Sequence, residues 1–146
     1  MIKKVPLAAV QAAMYKTLSE HIVGYNVYDD STPYNEGELP DAKFLVIGEN
    51  NCRPMTAKVD SPRWEVSSTI HAFSKYEGKK EINGMAEDVV EVLTTLFEYN
   101  RIDIEDYYLE DLDVDIVEAF KEEYEDGTRW QHGVIKVLLK VEQKVM

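Results

Sequence analysis

The sequence contains a single cysteine, Cys52, among 146 residues, so no disulfide can form within the chain. Cys-rich zinc modules are excluded for the same reason. Basic residues are few: 16 Lys and Arg stand against 28 Asp and Glu, which gives a net charge of −12. This deficit argues against a protein that binds nucleic acid or an anionic membrane by charge.

Long apolar runs are also missing. No run approaches the roughly 18 residues that a membrane span needs. The stretch that follows Met1 has no long apolar core, so we expect no signal peptide and an intracellular protein. The sequence has no phosphate-binding glycine loop, no nucleophile elbow and no dinucleotide fingerprint. We therefore predict that the protein is not an enzyme and has no cofactor.

Apolar residues make up 45% of the chain, including nine Tyr, four Phe and two Trp, which is enough for a hydrophobic core. We expect one domain over residues 1–146. The negative charge is uneven, with 14 acidic and 10 basic residues in 1–97 (net −4), 13 and 2 in 98–126 (net −11), and 1 and 4 in 127–146 (net +3). Residues 98–126 therefore hold almost the whole imbalance.

Hydrophobic periodicity predicts an α+β fold. Residues 5–22 and 79–97 have apolar side chains at helical spacing. Strands are predicted at 44–48, 63–73, 107–117 and 128–142, with long loops at 29–43 and 48–62. We expect a four-stranded antiparallel sheet with both helices on one face, and a long loop between its first two strands.

The sharpest local pattern is the alternation of Asp111, Asp113 and Asp115 with apolar residues, which places three carboxylates on one strand face. A calcium loop would have Asp at these positions and Glu122 at its end, but Ile116 stands where that loop needs glycine. A two-metal nuclease site is a further alternative. The simplest interpretation is an exposed acidic face, with Leu112, Val114 and Ile116 directed inward and Lys136 and Lys140 relieving the repulsion.

Two other constellations are weaker. His71 and His132 lie on strands that could be neighbours, so they are either a metal pair or ordinary hydrogen-bonded histidines. Cys52 stands beside Arg53, and a cationic neighbour activates a thiol, but no oriented third group follows. We predict no metal site and no catalytic residue.

Several short motifs occur in an order that resembles the tail-completion proteins of long-tailed bacteriophages and prophages. These proteins are also called tail terminators or head-to-tail joining proteins. The motifs are 27–29 (VYD), 44–49 (FLVIGE), 64–74 (WEVSSTIHAFS), 78–83 (GKKEIN) and 129–135 (RWQHGVI). The resemblance covers residues 5–142, and the acidic segment 98–126 is longer and more charged than is typical of that family.

The resemblance implies a homo-oligomeric ring, usually a hexamer, that caps the phage tail tube and contacts the head connector, or head completion, protein. DNA would pass through without specific binding, no membrane is involved, and the location is the tail–head junction of a virion assembled in the bacterial cytoplasm. We hypothesise that Asp111, Asp113 and Asp115 line the lumen, because an acidic surface repels phosphate. The loop 48–62 is predicted to form the subunit or tube interface. Its residues of interest are Asn50, Asn51, Cys52, Arg53, Met55 and Lys58. The alternatives are an acidic inhibitor that mimics DNA and a metal-dependent hydrolase that uses the three aspartates.

Overall fold

The computed structural model describes residues 2–29, 42–55 and 61–144. In these residues the chain forms two α-helices and five β-strands. In chain order they are α1 (Leu7–His21), β1 (Asn26–Tyr28), β2 (Lys43–Met55), β3 (Arg63–Ser74), α2 (Lys79–Glu98), β4 (Tyr107–Glu123) and β5 (Arg129–Gln143). The predicted helices are confirmed to within two residues at each end.

The strands form one sheet in the order β1-β2-β3-β5-β4. The predicted antiparallel pairs β2–β3 and β4–β5 are confirmed, and β3 pairs with β5 along its whole length. The prediction of four strands was wrong because β1 adds a fifth, which runs parallel to β2. With three residues, β1 is too short to show a periodicity in the sequence.

Both helices cover the same face of the sheet, which we call the inner face. The apolar stripe of α2 buries Ile82, Met85 and Val89 against the sheet, in one cluster with residues of α1. The alternate residues Ile135, Val137, Leu139 and Val141 of β5 face this core. Gly133 permits a close approach, since a Cβ atom there would lie 3.4 Å from Ile82 Cδ1. None of the helices in the described residues is long and apolar enough to span a membrane.

The opposite face, the outer face, carries a second apolar cluster. Phe44, Val46, Phe73 and Trp130 are buried there, on the side of the sheet opposite α1 and α2. The rings of Phe44 and Phe73 stack with centroids 5.1 Å apart, and Trp130 packs edge-on to Phe44 at 5.8 Å. The run 44–47 is therefore buried on both faces, as its unbroken hydrophobicity predicts.

The long loop predicted at 48–62 is largely strand. β2 continues to Met55 and pairs with β3 after a bulge between Ile47 and Asn50. The arm of β2, residues 50–55, tolerates polar residues because much of it is exposed. Pro54 lies on this arm, which among the described strands pairs with β3 alone. Residues 56–60 and most of the loop predicted at 29–43, namely 30–41, lie outside the described residues.

The fourth strand is longer than predicted and is interrupted. β4 extends to Glu123, because the turn is restricted to residues 124–128, where the Tyr124 N–H donates to Thr128 O. Bulges occur between Leu109 and Asp111 and between Val114 and Ile116. Leu112 is buried as predicted. Val114 lies on the inner face opposite Val137, although its side chain is 38% exposed. The inward placement of Ile116 was wrong, since it lies opposite Lys136 on the outer face and is 45% exposed.

Candidate functional site

Four titratable side chains from four strands form a continuous hydrogen-bonded chain on the outer face. His71 Nδ1 of β3 lies 2.8 Å from His132 Nε2 of β5. His132 Nδ1 donates to Glu122 Oε1 of β4 at 2.6 Å. His71 Nε2 lies 3.2 Å from both carboxylate oxygens of Glu49 on β2. We call these four residues the His–Glu chain.

Local strand geometry brings these groups together. The bulge in β2 places Gly48 and Glu49 opposite Thr69, the residue two positions before His71. His132 pairs with Phe73 and Phe120 in the register, and its ring stacks on Phe73 with centroids 4.4 Å apart. The His–Glu chain therefore ties together the four longest strands of the sheet at one level.

The hydrogen bonds of the His–Glu chain require a definite number of donated protons. Two neutral imidazoles carry two N–H groups, but the three contacts of the chain need three donors. One additional proton therefore satisfies every contact and places a single positive charge between two carboxylates. A second additional proton would turn His71 Nδ1–H toward His132 Nε2–H and break the central hydrogen bond. The geometry of the His–Glu chain therefore opposes the protonation of both histidines at once.

The pKa values are shifted accordingly. Burial lowers the pKa of His132, and the hydrogen bond and charge of Glu122 oppose this only in part. Burial alone would raise the pKa of Glu122, but hydrogen bonds from His132 and Tyr124 outweigh it, so the pKa lies below the usual value. The pKa of Glu49 is lowered in the same way, with burial opposed by the hydrogen bond to His71 and by its own backbone N–H.

The alternative of a metal held by His71 and His132 does not fit this geometry. Two imidazole nitrogens on one tetrahedral zinc ion would lie roughly 3.3 Å apart, with the ion between them. The observed 2.8 Å is a direct hydrogen-bond distance. In the parts of the chain that the structure describes, no group of three or more His, Cys, Asp and Glu side chains converges on a common point.

Cys52 cannot form a catalytic pair with His71, because the two side chains lie on opposite faces of the sheet. Cys52 packs against the inner core and lies opposite Val66, five residues along β3 from His71. His71 projects from the outer face. Burial raises the pKa of the Cys52 thiol, which disfavours the thiolate that a nucleophile needs.

The bulges of β4 separate the three predicted aspartates. Asp111 lies opposite Lys140 and Asp113 opposite Leu138, on the outer face. Asp115 falls in the second bulge and has no register partner. The predicted face of three carboxylates is therefore reduced to two. The register supports the prediction that Lys140 relieves the repulsion between the carboxylates, because Lys140 lies between Asp111 of β4 and Glu65 of β3.

The residues predicted to form the interface do not share one surface. Asn50 is directed toward α1, where its Nδ2 donates to Gln11 Oε1 at 2.7 Å. Cys52 is half-buried, whereas Asn51 and Arg53 are exposed on the arm and Met55 ends it. Lys58 lies outside the described residues. Only Asn51 and Arg53 are thus free-standing surface residues of the predicted set that the structure describes.

Sequence reasoning missed Glu49 and Glu122 as partners of the histidines. His71 lies between Ile70 and Ala72, which face the inner core, so strand alternation places it on the outer face. The bulge that brings Glu49 to it, and the extension of β4 that brings Glu122 to His132, have no signal in the sequence pattern.

Gly48 offers a test of how tightly the His–Glu chain is packed. A Cβ atom at this position would lie 2.6 Å from His71 Cδ2 and 3.1 Å from Thr69 O. We expect Gly48→Ala to lower the free energy of unfolding by about 1–3 kcal/mol, because His71 must move. Gly84→Ala is the matched control. A Cβ atom there meets nothing within 4 Å, so the change should stabilise α2 by up to ~1 kcal/mol. Urea unfolding of both variants measures the two effects, and equal effects would contradict the packing.

No family model matches the sequence, and no curated protein does. A solved structure does match in fold: a chain described as "Virion of native gene transfer agent (GTA) particle". The alignment covers 96% of this chain and 99% of that chain, with a TM-score of 0.63 and 16% sequence identity. The two chains share a fold.

Proposed function

We propose that this chain is a structural protein of a phage-like virion. In this role it caps the tail tube as a ring and joins the tube to the head connector. The observation that carries the proposal is the full-length likeness in fold to a chain of a gene transfer agent virion. The motif resemblance to tail-completion proteins, which rests on the sequence alone, supports the finer role.

The surface of the sheet is compatible with assembly into a ring. A closed ring needs heterologous contacts, in which one patch of a subunit meets a different patch of the next. The sheet has two different edges, the short β1 with the exposed arm of β2 on one side and the long β4 on the other. A ring would also have a lumen, for which we propose the outer-face carboxylates Asp111 and Asp113, with Asp115 excluded by its bulge.

Electron microscopy of tails tests the proposal. Particles produced without this protein should have over-long tails or tails without heads, because nothing ends tube growth or contacts the head. Complementation with the wild-type chain should restore joined particles. Joined particles of normal length made without the protein would refute the role. A ring structure with Asp111 and Asp113 on its outer wall would refute the lumen assignment alone.

A further inference from the structure

A groove between α2 and β4 lies open to solvent. Its walls are apolar, with Ala86 and Val90 of α2 facing Val117 and Ala119 of β4 across about 420 Å³. Val117 is 47% exposed, although it belongs to a strand packed beside a helix. Contiguous apolar surface of this kind marks a contact site for another molecule.

The rim of the groove is acidic. Glu87 and Glu91 border it on α2. Glu118 lies beside it on β4, but its side chain is on the outer face, at the register level of Val134 and His71. β4 as a whole carries seven acidic residues and one lysine, a net charge of −6. A second copy of β4 would bring acidic residues against acidic residues, which is unfavourable. The groove therefore fits an occupant that is apolar and basic.

The backbone beside the groove is also available. In residues 2–29, 42–55 and 61–144, β5 is the one strand that pairs with β4, so the other edge of β4 has no strand partner. Such an edge accepts an extended segment through main-chain hydrogen bonds.

The same polypeptide contains a segment that is both apolar and basic, close to its first residues. Residues 2–7 precede or begin α1 and include the exposed bases Lys3 and Lys4. The apolar side chains of Ile2 and Val5 are 80% and 54% exposed. The backbone is nevertheless held in place: the Lys4 N–H donates to Gln143 Oε1, and Gln143 Nε2 donates to Ile2 O. A segment already ordered loses less entropy on binding.

This segment cannot fill the groove of its own subunit. The Tyr107 hydroxyl donates to Lys4 O, which fixes the segment at the start of β4. Val117 is ten residues farther along β4, a distance of about 33 Å at the usual rise of a strand. Residues 2–7 can therefore reach a groove of this kind only in a second copy of the protein.

We propose that residues 2–7 of one copy bind the α2–β4 groove of a second copy. The apolar side chains fill the groove, and Lys3 and Lys4 pair with the acidic rim. The two patches differ, so the contact is head-to-tail and can close into a ring. The inference deepens the proposed function, on which it rests, by naming the subunit contact.

Disulfide trapping tests the contact directly. Three variants are made in a Cys52→Ser background: Val5→Cys alone, Val117→Cys alone, and both substitutions in one polypeptide. Oxidising the mixture of separate chains should give a dimer, and the chain with both cysteines should give a ladder of multimers. Neither single variant should cross-link alone. A dimer from Val117→Cys alone would indicate β4–β4 pairing and overturn the inference, as would a purified protein that gives no cross-link in any combination.

A charge exchange provides the second measurement. Lys3→Glu/Lys4→Glu and Glu87→Lys/Glu91→Lys should each weaken self-association roughly tenfold, and the combined variant should restore it. Lys79→Glu/Lys80→Glu makes the same charge change at exposed positions of α2 and should have no effect. Failure of the combined variant to recover would overturn the contact. If tails are capped and joined normally while these residues do not cross-link, the proposed function stands and this contact fails.

Discussion

Trp130→Ala is expected to lower the free energy of unfolding by about 3–5 kcal/mol. The side chain is 1% exposed and packs on Phe44 and Phe73 in the outer-face cluster. Removing the indole leaves a cavity beside Phe44 and Phe73, and the cost of such a cavity grows with its volume. Urea unfolding followed by far-UV circular dichroism measures the loss.

Two further variants determine the cause of that loss. Trp130→Phe retains most of the ring volume and should cost less than half as much. Tyr76→Ala removes an aromatic side chain that is 57% exposed and should change stability little. A small effect of Trp130→Ala would mean that the outer face is not a second core. The face would then be free to change its packing during assembly.

His132→Ala is expected to lower the free energy of unfolding by about 2–3 kcal/mol at neutral pH. The substitution removes the central member of the His–Glu chain and leaves both His71 and Glu122 without that hydrogen-bond partner. It also removes the ring that stacks on Phe73. Chemical denaturation at neutral pH measures the effect.

The same variant should have a flatter dependence of stability on pH. The pKa of His132 is lowered by folding, so the unfolded chain takes up that proton first. Stability is therefore full above the unfolded value of about 6.5 and is lost as pH falls through the folded pKa. The lowered pKa values of Glu49 and Glu122 act in the same direction in a more acidic window, below about 4.3.

A matched histidine provides the control for this pH profile. His21 lies exposed in the last turn of α1, outside the His–Glu chain. His21→Ala should leave the profile of the wild type unchanged between neutral pH and pH 5. If His132→Ala keeps the wild-type slope in that range, the loss of stability on acidification does not arise from the His–Glu chain.

The sequence predicted the parts of the fold that rest on simple periodicity. The stripe on α2, the alternation of β3 and the inward residues of β5 each follow a period of 3.6 or 2. The unbroken run 44–47 correctly indicated a strand buried on both faces. These patterns can be predicted because each apolar side chain favours burial whatever its distant neighbours are, so the spacing of apolar residues alone indicates the buried face.

The remaining features depend on partners distant in the chain. β1 exists because three residues meet β2, and the polar arm of β2 is a strand because β3 pairs with it. The bulge between Val114 and Ile116 reverses which residues face outward, and this reversal broke the prediction for the three aspartates. The His–Glu chain needs both a bulge and a register to form, so residue spacing alone did not reveal it.

The position of β5 also constrains the order in which the molecule can be completed. β5 lies between β3 and β4, yet it follows both of them in the chain. During synthesis neither strand can pair with β5 until the ribosome has passed residue 143. The nascent chain therefore carries one unpaired edge of β3 from residue 74 onward, and from residue 123 it also carries β4 with both of its edges unpaired. A break in translation after residue 128 would release a fragment in which these three edges of the described strands are unpaired, which favours aggregation over a smaller folded domain.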